Sequence, residues 1–241
     1  MIKKLKRLLK ENRGYHKKQI SLLQELEWAQ VYHDSTRGLP WLEKLPLNVG
    51  RWAGNYAFFY VLHRALYDYQ PKKILEFGLG ESSKFMSKYL EFYLKESKHI
   101  IIEHNPDWKA SFISKFNLNQ NSTVHICPLY SQNVKGFQVN SYKGIEKYTS
   151  DQYYDLYVVD GPFGSDRYSR YDIVNIARNF KKGQEFIIIF DDMNRSGEKE
   201  TFKELRAVIE AKNIKVWRGK FAGSKEVQIL VTQKYKFLNT I

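Results

Sequence analysis

At 241 residues and 28.6 kDa, with 43% hydrophobic and 27% charged residues, the chain can bury a proper core and is too apolar to be disordered. No run approaches the roughly 20 apolar residues of a spanning helix, since even 53–66 is broken by Asn55, His63 and Arg64. The lone Cys127 rules out an intrachain disulfide and a cysteine-based zinc site. No uninterrupted apolar segment with a cleavage site follows the basic start, so a reducing, cytoplasmic setting is expected.

The net charge of +13 is unevenly placed: Lys3, Lys4, Lys6, Arg7, Lys10, Arg13, Lys17 and Lys18 face Glu11 alone. Ile2, Leu5, Leu8 and Leu9 fall at helical spacing among these lysines and predict a short basic amphipathic helix. A second helix is expected over 19–31, with Ile20, Leu22, Leu23, Leu26 and Trp28 as its apolar positions. Residues 1–45 thus read as a helical extension that packs on the domain or on another copy of it. A peripheral membrane contact through residues 1–18 is the sharper reading of the same pattern. With half the excess charge on this leader, the basic pI is no nucleic-acid footprint of the main domain, 46–241.

Pro40, Pro46, Gly38 and Gly50 mark a connecting loop, and an aromatic-rich helix follows over 53–69. From there strands and helices alternate. Strands are expected at 73–77, 99–103, 123–127, 154–160 and 185–190, and helices at 82–95, 107–116, 169–180 and 197–212. Alternation of this kind means a doubly wound, mostly parallel sheet with helices on both faces. The last two strands, near 214–218 and 227–233, are joined by too few residues for a crossover helix and should form an antiparallel hairpin.

The first of these strands runs into Glu76-Phe77-Gly78-Leu79-Gly80-Glu81-Ser82-Ser83. Gly78 and Gly80 let the backbone turn tightly and approach a ligand, and Ser82 or Ser83 can cap the next helix. A dinucleotide loop needs a third glycine where Ser83 stands, and Glu76 and Glu81 would repel a pyrophosphate by several kcal/mol at about 4 Å. A cationic sulfonium ligand fits better. Glu103 ends the second strand, where a carboxylate can take both ribose hydroxyls. The motif Glu76-x-Gly78-x-Gly80-x-Ser82, with Glu103 and a seven-strand pattern ending in a hairpin, resembles the class I S-adenosylmethionine-dependent methyltransferases over residues 71–233. The resemblance implies a Rossmann-like fold, S-adenosyl-L-methionine as cofactor, and Glu76, Gly78, Gly80, Ser82, Ser83 and Glu103 around it.

The fourth strand ends at Asp160 and the fifth at Asp191-Asp192, with Asn194 and Arg195 following. Three carboxylates would meet near the transferable methyl. A hydroxyl acceptor needs its proton removed, so Asp160 and Asp191 are the expected catalytic groups. As hard oxygen ligands Asp160, Asp191 and Asp192 would instead hold a divalent metal such as Mg²⁺, as acids at these strand ends do in catechol-type O-methyltransferases; Asn194 is a further candidate. The segment from Asp160-Gly161-Pro162-Phe163-Gly164 through Arg167 and Arg170 is similar to the glucuronoxylan methyltransferases. That similarity implies a saccharide hydroxyl as acceptor, with Arg167 or Arg170 binding an acidic group on it. His104 is placed near adenine, and Trp41, Trp52 and Tyr56 are candidates for an acceptor cleft. Two rival readings are an N-methyltransferase acting on nucleic acid and a non-catalytic adenosyl-binding scaffold at a membrane.

Overall fold

The computed structural model describes residues 2–50, 52–150 and 152–241. The chain opens with one long helix, α1 (Ile2–Thr36), where two had been expected. No proline breaks this stretch, and its single glycine, Gly14, costs about 1 kcal/mol without ending a helix. The expected loop over 38–50 contains one short turn of helix, α2 (Pro40–Glu43). The aromatic helix α3 (Tyr56–Tyr69) starts where Asn55 Oδ1 caps Phe58 N–H at 3.1 Å.

The main sheet then builds up as β1 (Lys73–Phe77), α4 (Glu81–Phe92), β2 (Lys98–Glu103), α5 (Pro106–Ile113) and β3 (Ser122–Ile126). An antiparallel ribbon that the sequence reading missed follows, β4 (Leu129–Val134) and β5 (Phe137–Tyr142). Its two-residue turn places Lys135 at φ +52° and Gly136 at φ +87°, the signature of a tight hairpin. After α6 (Glu146–Thr149), the chain continues through β6 (Leu156–Val159), α7 (Asp172–Ala177), β7 (Ile187–Phe190) and α8 (Ser196–Ala211). It ends with β8 (Trp217–Ala222), β9 (Glu226–Val231) and a 3₁₀ segment, Gln233–Thr240. The helix expected from residue 169 begins later because Tyr168 and Arg170 adopt left-handed backbone, φ +49° and +61°.

The seven strands run in the order β3-β2-β1-β6-β7-β9-β8, parallel except at β9, which pairs antiparallel with both neighbours. This is the doubly wound sheet with a C-terminal hairpin that the pattern predicts. Successive strand residues feed opposite faces: Ile74, Leu156, Val158 and Ile187 pack towards α3 and α4, while Leu75, Tyr157, Val159 and Ile188 pack towards α7 and α8. Tyr32, Leu42 and Leu45 belong to the first of these cores, so packing runs without a break across the expected boundary at residue 45.

Candidate active site

The sheet order reverses between β1 and β6, because β1 leads outward to β2 and β3 while β6 leads to β7. Loops beyond the carboxyl ends of such a pair flank the crevice where open α/β sheets bind ligands. Gly78 has φ +95°, and a Cβ there would lie 3.3 Å from the Asp160 carbonyl oxygen, so glycine lets the two loops touch. Gly80 is extended, and a Cβ there would meet no atom of the described residues within 4 Å. The bend is therefore open on one side.

Glu76, Ser82 and Ser83, expected around the cofactor, bond to one another beneath the bend. The Glu76 carboxylate is fully buried. Its Oε1 accepts from Ser82 Oγ, and its Oε2 accepts from Ser83 Oγ at 2.6 Å and lies 3.1 Å from His99 Nε2. Ser83 Oγ also accepts from Gly80 N–H at 3.0 Å. A buried carboxylate without partners would be costly, so the acid organises the bend and the start of α4 from beneath. Glu81 is likewise engaged, with Lys84 Nζ at 2.6 Å and Asn48 N–H at 3.0 Å. Ser83, fully buried, occupies the position where a dinucleotide loop needs its third glycine.

Glu103 ends β2 beside the glycine bend. Its Oε2 accepts from Leu79 N–H at 3.0 Å, and its Oε1 from His104 and Asn105 N–H, both at 2.8 Å. These bonds fix the carboxylate and leave Oε2 one lone pair for a ligand. Trp108 Nε1 donates to Leu79 O at 2.7 Å, pinning the same bend. His104 Nδ1 sits 2.9 Å from Glu103 Oε1, and its ring meets exposed Phe163 edge-on at 4.7 Å.

One oxygen from each of Asp160, Asp191 and Asp192 falls within 4.8 Å of the others. The side chain of Asp160 is 20% exposed, against 5% for Asp192 and 0% for Asp191, so Asp160 is the acid of the three that reaches the crevice. Arg170, expected to bind an acidic group on the acceptor, joins this cluster. It is buried, with Nη2 at 2.7 Å from Asp192 Oδ2 and 3.2 Å from Asp160 Oδ1, and Nη1 donates to the carbonyls of Val159 and Asp191. Its fork thus binds this protein's own acids, while Nε lies 4.0 Å from Glu198 Oε1. Arg167 lies outside the cluster, donating from Nε to Glu200 at 2.7 Å and stacking 4.3 Å from the Phe137 ring.

Lys225, which sequence reasoning did not find, lies 3.3 Å from Asp192 Oδ1 and 3.9 Å from Asp191 Oδ2. It reaches them from the turn between β8 and β9, and no local motif signals that. Burial raises the Asp160 pKa; Arg170 opposes this, and Asp191 and Asp192 add to it. Burial and Asp192 likewise raise Asp191, both of whose oxygens lack a hydrogen-bond partner among the described residues. For Asp192, burial is outweighed by Arg170, Lys225 and Arg195, which hold its carboxyl below the ordinary value. Asn194 is exposed, Trp41 packs against Tyr89 and stacks on Phe92, and Tyr56 packs on Tyr32. Trp52 is 91% exposed, whereas Trp41 and Tyr56 are half-buried in these ring contacts.

No family model and no curated protein sequence matches this chain. Solved structures do. An inferred O-methyltransferase from Klebsiella pneumoniae superposes with a TM-score of 0.51 at 16% identity, covering 86% of this chain and 98% of that one. An O-methyltransferase from Streptomyces achromogenes involved in tomaymycin synthesis, solved with S-adenosylmethionine, gives 0.50 at 12% identity, covering 85% and 88%. At such identities the likeness speaks for the fold, and the chain has the class I methyltransferase architecture.

Proposed function

We propose that this protein transfers a methyl group from S-adenosylmethionine to a hydroxyl oxygen on a saccharide or sugar-containing small molecule. One observation carries the reading: the open glycine bend at Gly78–Gly80 abuts the backbone of Asp160, the carboxylate of the acid cluster that reaches solvent. The residues fit the cofactor. Gly80 leaves space, Glu103 retains an acceptor position suited to a ribose hydroxyl, and Ser83 denies the close helix approach a dinucleotide needs. When bound, S-adenosylmethionine supplies a methyl group on a sulfonium, whose departure needs little help from the protein.

The work left to this chain is orientation and proton removal. Holding an acceptor in line is worth roughly 7–11 kcal/mol. Asp160, its pKa raised by burial, accepts the hydroxyl proton, and Arg170 holds that carboxylate in place from behind. The donor set also fits a hard divalent ion such as Mg²⁺, because Asp191 offers two buried oxygens without partners beside one each from Asp160 and Asp192. Such an ion would polarise the acceptor oxygen. The saccharide reading rests on the similarity at residues 160–170 and on Trp52, exposed next to Ala53, whose carbonyl accepts from Lys225 at 2.8 Å.

The test is methyl-labelled S-adenosylmethionine offered with neutral and acidic oligosaccharides, with RNA, and with EDTA. Label in the saccharide, reduced by EDTA, is expected. Label in RNA alone overturns the acceptor, and calorimetric preference for NAD overturns the cofactor. Undiminished turnover in EDTA removes the ion and leaves Asp160 as base.

A further inference from the structure

The first five turns of α1 stand free of the domain. Every residue from Lys3 to Ile20 is exposed, and contact with the body begins at Ser21, whose Oγ donates to Gly223 O at 2.6 Å. From there one face of the helix is bonded down. Glu25 accepts from Tyr56 N–H, Asn55 Nδ2 and Ser224 N–H at 2.7–2.9 Å, Trp28 Nε1 donates to Ala222 O, and Tyr32 is buried among Tyr56, Phe59 and Phe85.

A second face points away from the body. Leu5, Leu9, Ile20, Leu23 and Leu26 recur at three- and four-residue steps or whole-turn multiples of them, and each is 49–67% exposed. Asn12 and His16 fill the two intervening places on that stripe. The stripe spans about 30 Å of helix. Met1 and the side chain of Ile2 lie outside the described residues. Lys3, Lys6, Lys10, Arg13 and Lys17 run along an adjoining face, with Glu11 the one acid among residues 2–18.

We propose that α1 lies in the plane of a bilayer surface rich in anionic headgroups, its leucine stripe towards the acyl boundary and the domain carried on its opposite side. Three features favour lipid over other occupants. Cations flanking a leucine stripe complement anionic headgroups, which draw in roughly 1 kcal/mol per basic residue. Ser21, Glu25, Trp28 and Tyr32, which bind the domain, lie on the opposite side of the helix from the leucine stripe, so the stripe can meet a surface with the domain behind it. Pairing of two copies in parallel would set one basic leader against the other. No helix among the described residues is long and apolar enough to cross a membrane. The inference stands independently of methyl transfer.

The experiment is sedimentation of the full-length protein with phosphatidylglycerol–phosphatidylcholine vesicles and with phosphatidylcholine alone. Binding at least tenfold tighter to the anionic vesicles is expected. Leu5→Asp combined with Leu9→Asp, both exposed, should weaken it tenfold or more while the melting temperature stays unchanged. Absence of binding to anionic vesicles overturns the proposal, and so does binding that the double variant does not weaken. A dimer in light scattering that the double variant dissolves, without vesicle binding, would reassign the stripe to a second copy and overturn it equally.

Discussion

Replacing Glu76 with alanine separates two roles that an acid in a glycine motif can have. In the structure its two oxygens hold Ser82 Oγ, Ser83 Oγ and His99 Nε2, and nothing of the side chain reaches solvent. Removal strands three buried polar groups. Each loses roughly 1–3 kcal/mol of pairing, moderated by any water that enters the vacated space. A loss of about 3–5 kcal/mol is expected, the range for breaking a buried charged contact by removing one partner. For a chain of this size that corresponds to a melting temperature lower by roughly 6–20 °C. Glu76→Gln should lose less, about 1–3 kcal/mol, because the amide oxygen still accepts while its NH₂ faces a donor. Thermal melts by circular dichroism measure this, with calorimetric titration of S-adenosylmethionine alongside. A melting temperature that does not move, combined with lost cofactor affinity, would return Glu76 to the ligand's side of the bend and refute the inward reading.

Three further outcomes are expected. Gly80→Val should cost about 1 kcal/mol of stability, as a poorer helix cap, yet weaken S-adenosylmethionine at least tenfold, because its side chain enters space with no protein atom within 4 Å; equal affinity by calorimetry would place the ligand elsewhere. Arg170→Met leaves Asp160 and Asp192 without their shared cation and should cost about 3–5 kcal/mol in urea denaturation, whereas a loss below about 1 kcal/mol would contradict a buried bridge. Burial, with Arg64 adding to it, lowers His63 to about 4, below its unfolded value near 6.5. Its contribution is complete above pH 6.5 and is lost as pH falls towards 4, by at most about 3 kcal/mol. Asp172, pushed up to about 7 by burial, works in the opposite sense, its folded form gaining as pH falls from 7 towards 4. The clean readout is therefore the difference between wild type and His63→Gln, whose acid-limb loss should be smaller; superimposable pH–stability curves would rule it out.

The central parallel strands were legible because buried runs advertise themselves. Leu156–Val159 and Ile187–Phe190 are buried at every position, and runs of that kind admit little else between helices. The ribbon of β4 and β5 was harder to see, since Ser131, Gln132 and Asn133 alternate weakly and the turn depends on positive φ at Lys135. At the site, the positions of Gly78, Gly80, Glu103 and Asp160 followed from strand ends alone. Side-chain direction did not. Whether Arg170 looks outward or inward depends on left-handed backbone at Tyr168 and at Arg170 itself, which composition does not disclose. Lys225 depends on a hairpin turn that brings residues far apart in sequence into contact.

That hairpin turn also explains why the N-terminal extension is more than an appendage. Glu25 of α1 accepts from Ser224 N–H and Oγ and from Asn55 Nδ2, and the same Asn55 amide lies 3.3 Å from Lys225 O. Lys225 Nζ in turn donates to Ala53 O and reaches Asp191 and Asp192. One carboxylate on the extension therefore orders the two loops from which the lysine of the acid cluster is held. Gly223 admits this arrangement, because a Cβ there would come within 2.3 Å of Glu25 Oε2. A lysine so constrained on its backbone and its ammonium costs little further entropy to hold beside the acids. An unconstrained one would lose up to about 2 kcal/mol of rotamer freedom in taking the same position. The charge balance around Asp160 is thus set partly by a residue 135 positions away in the chain, Glu25, which helps hold the loop that carries Lys225.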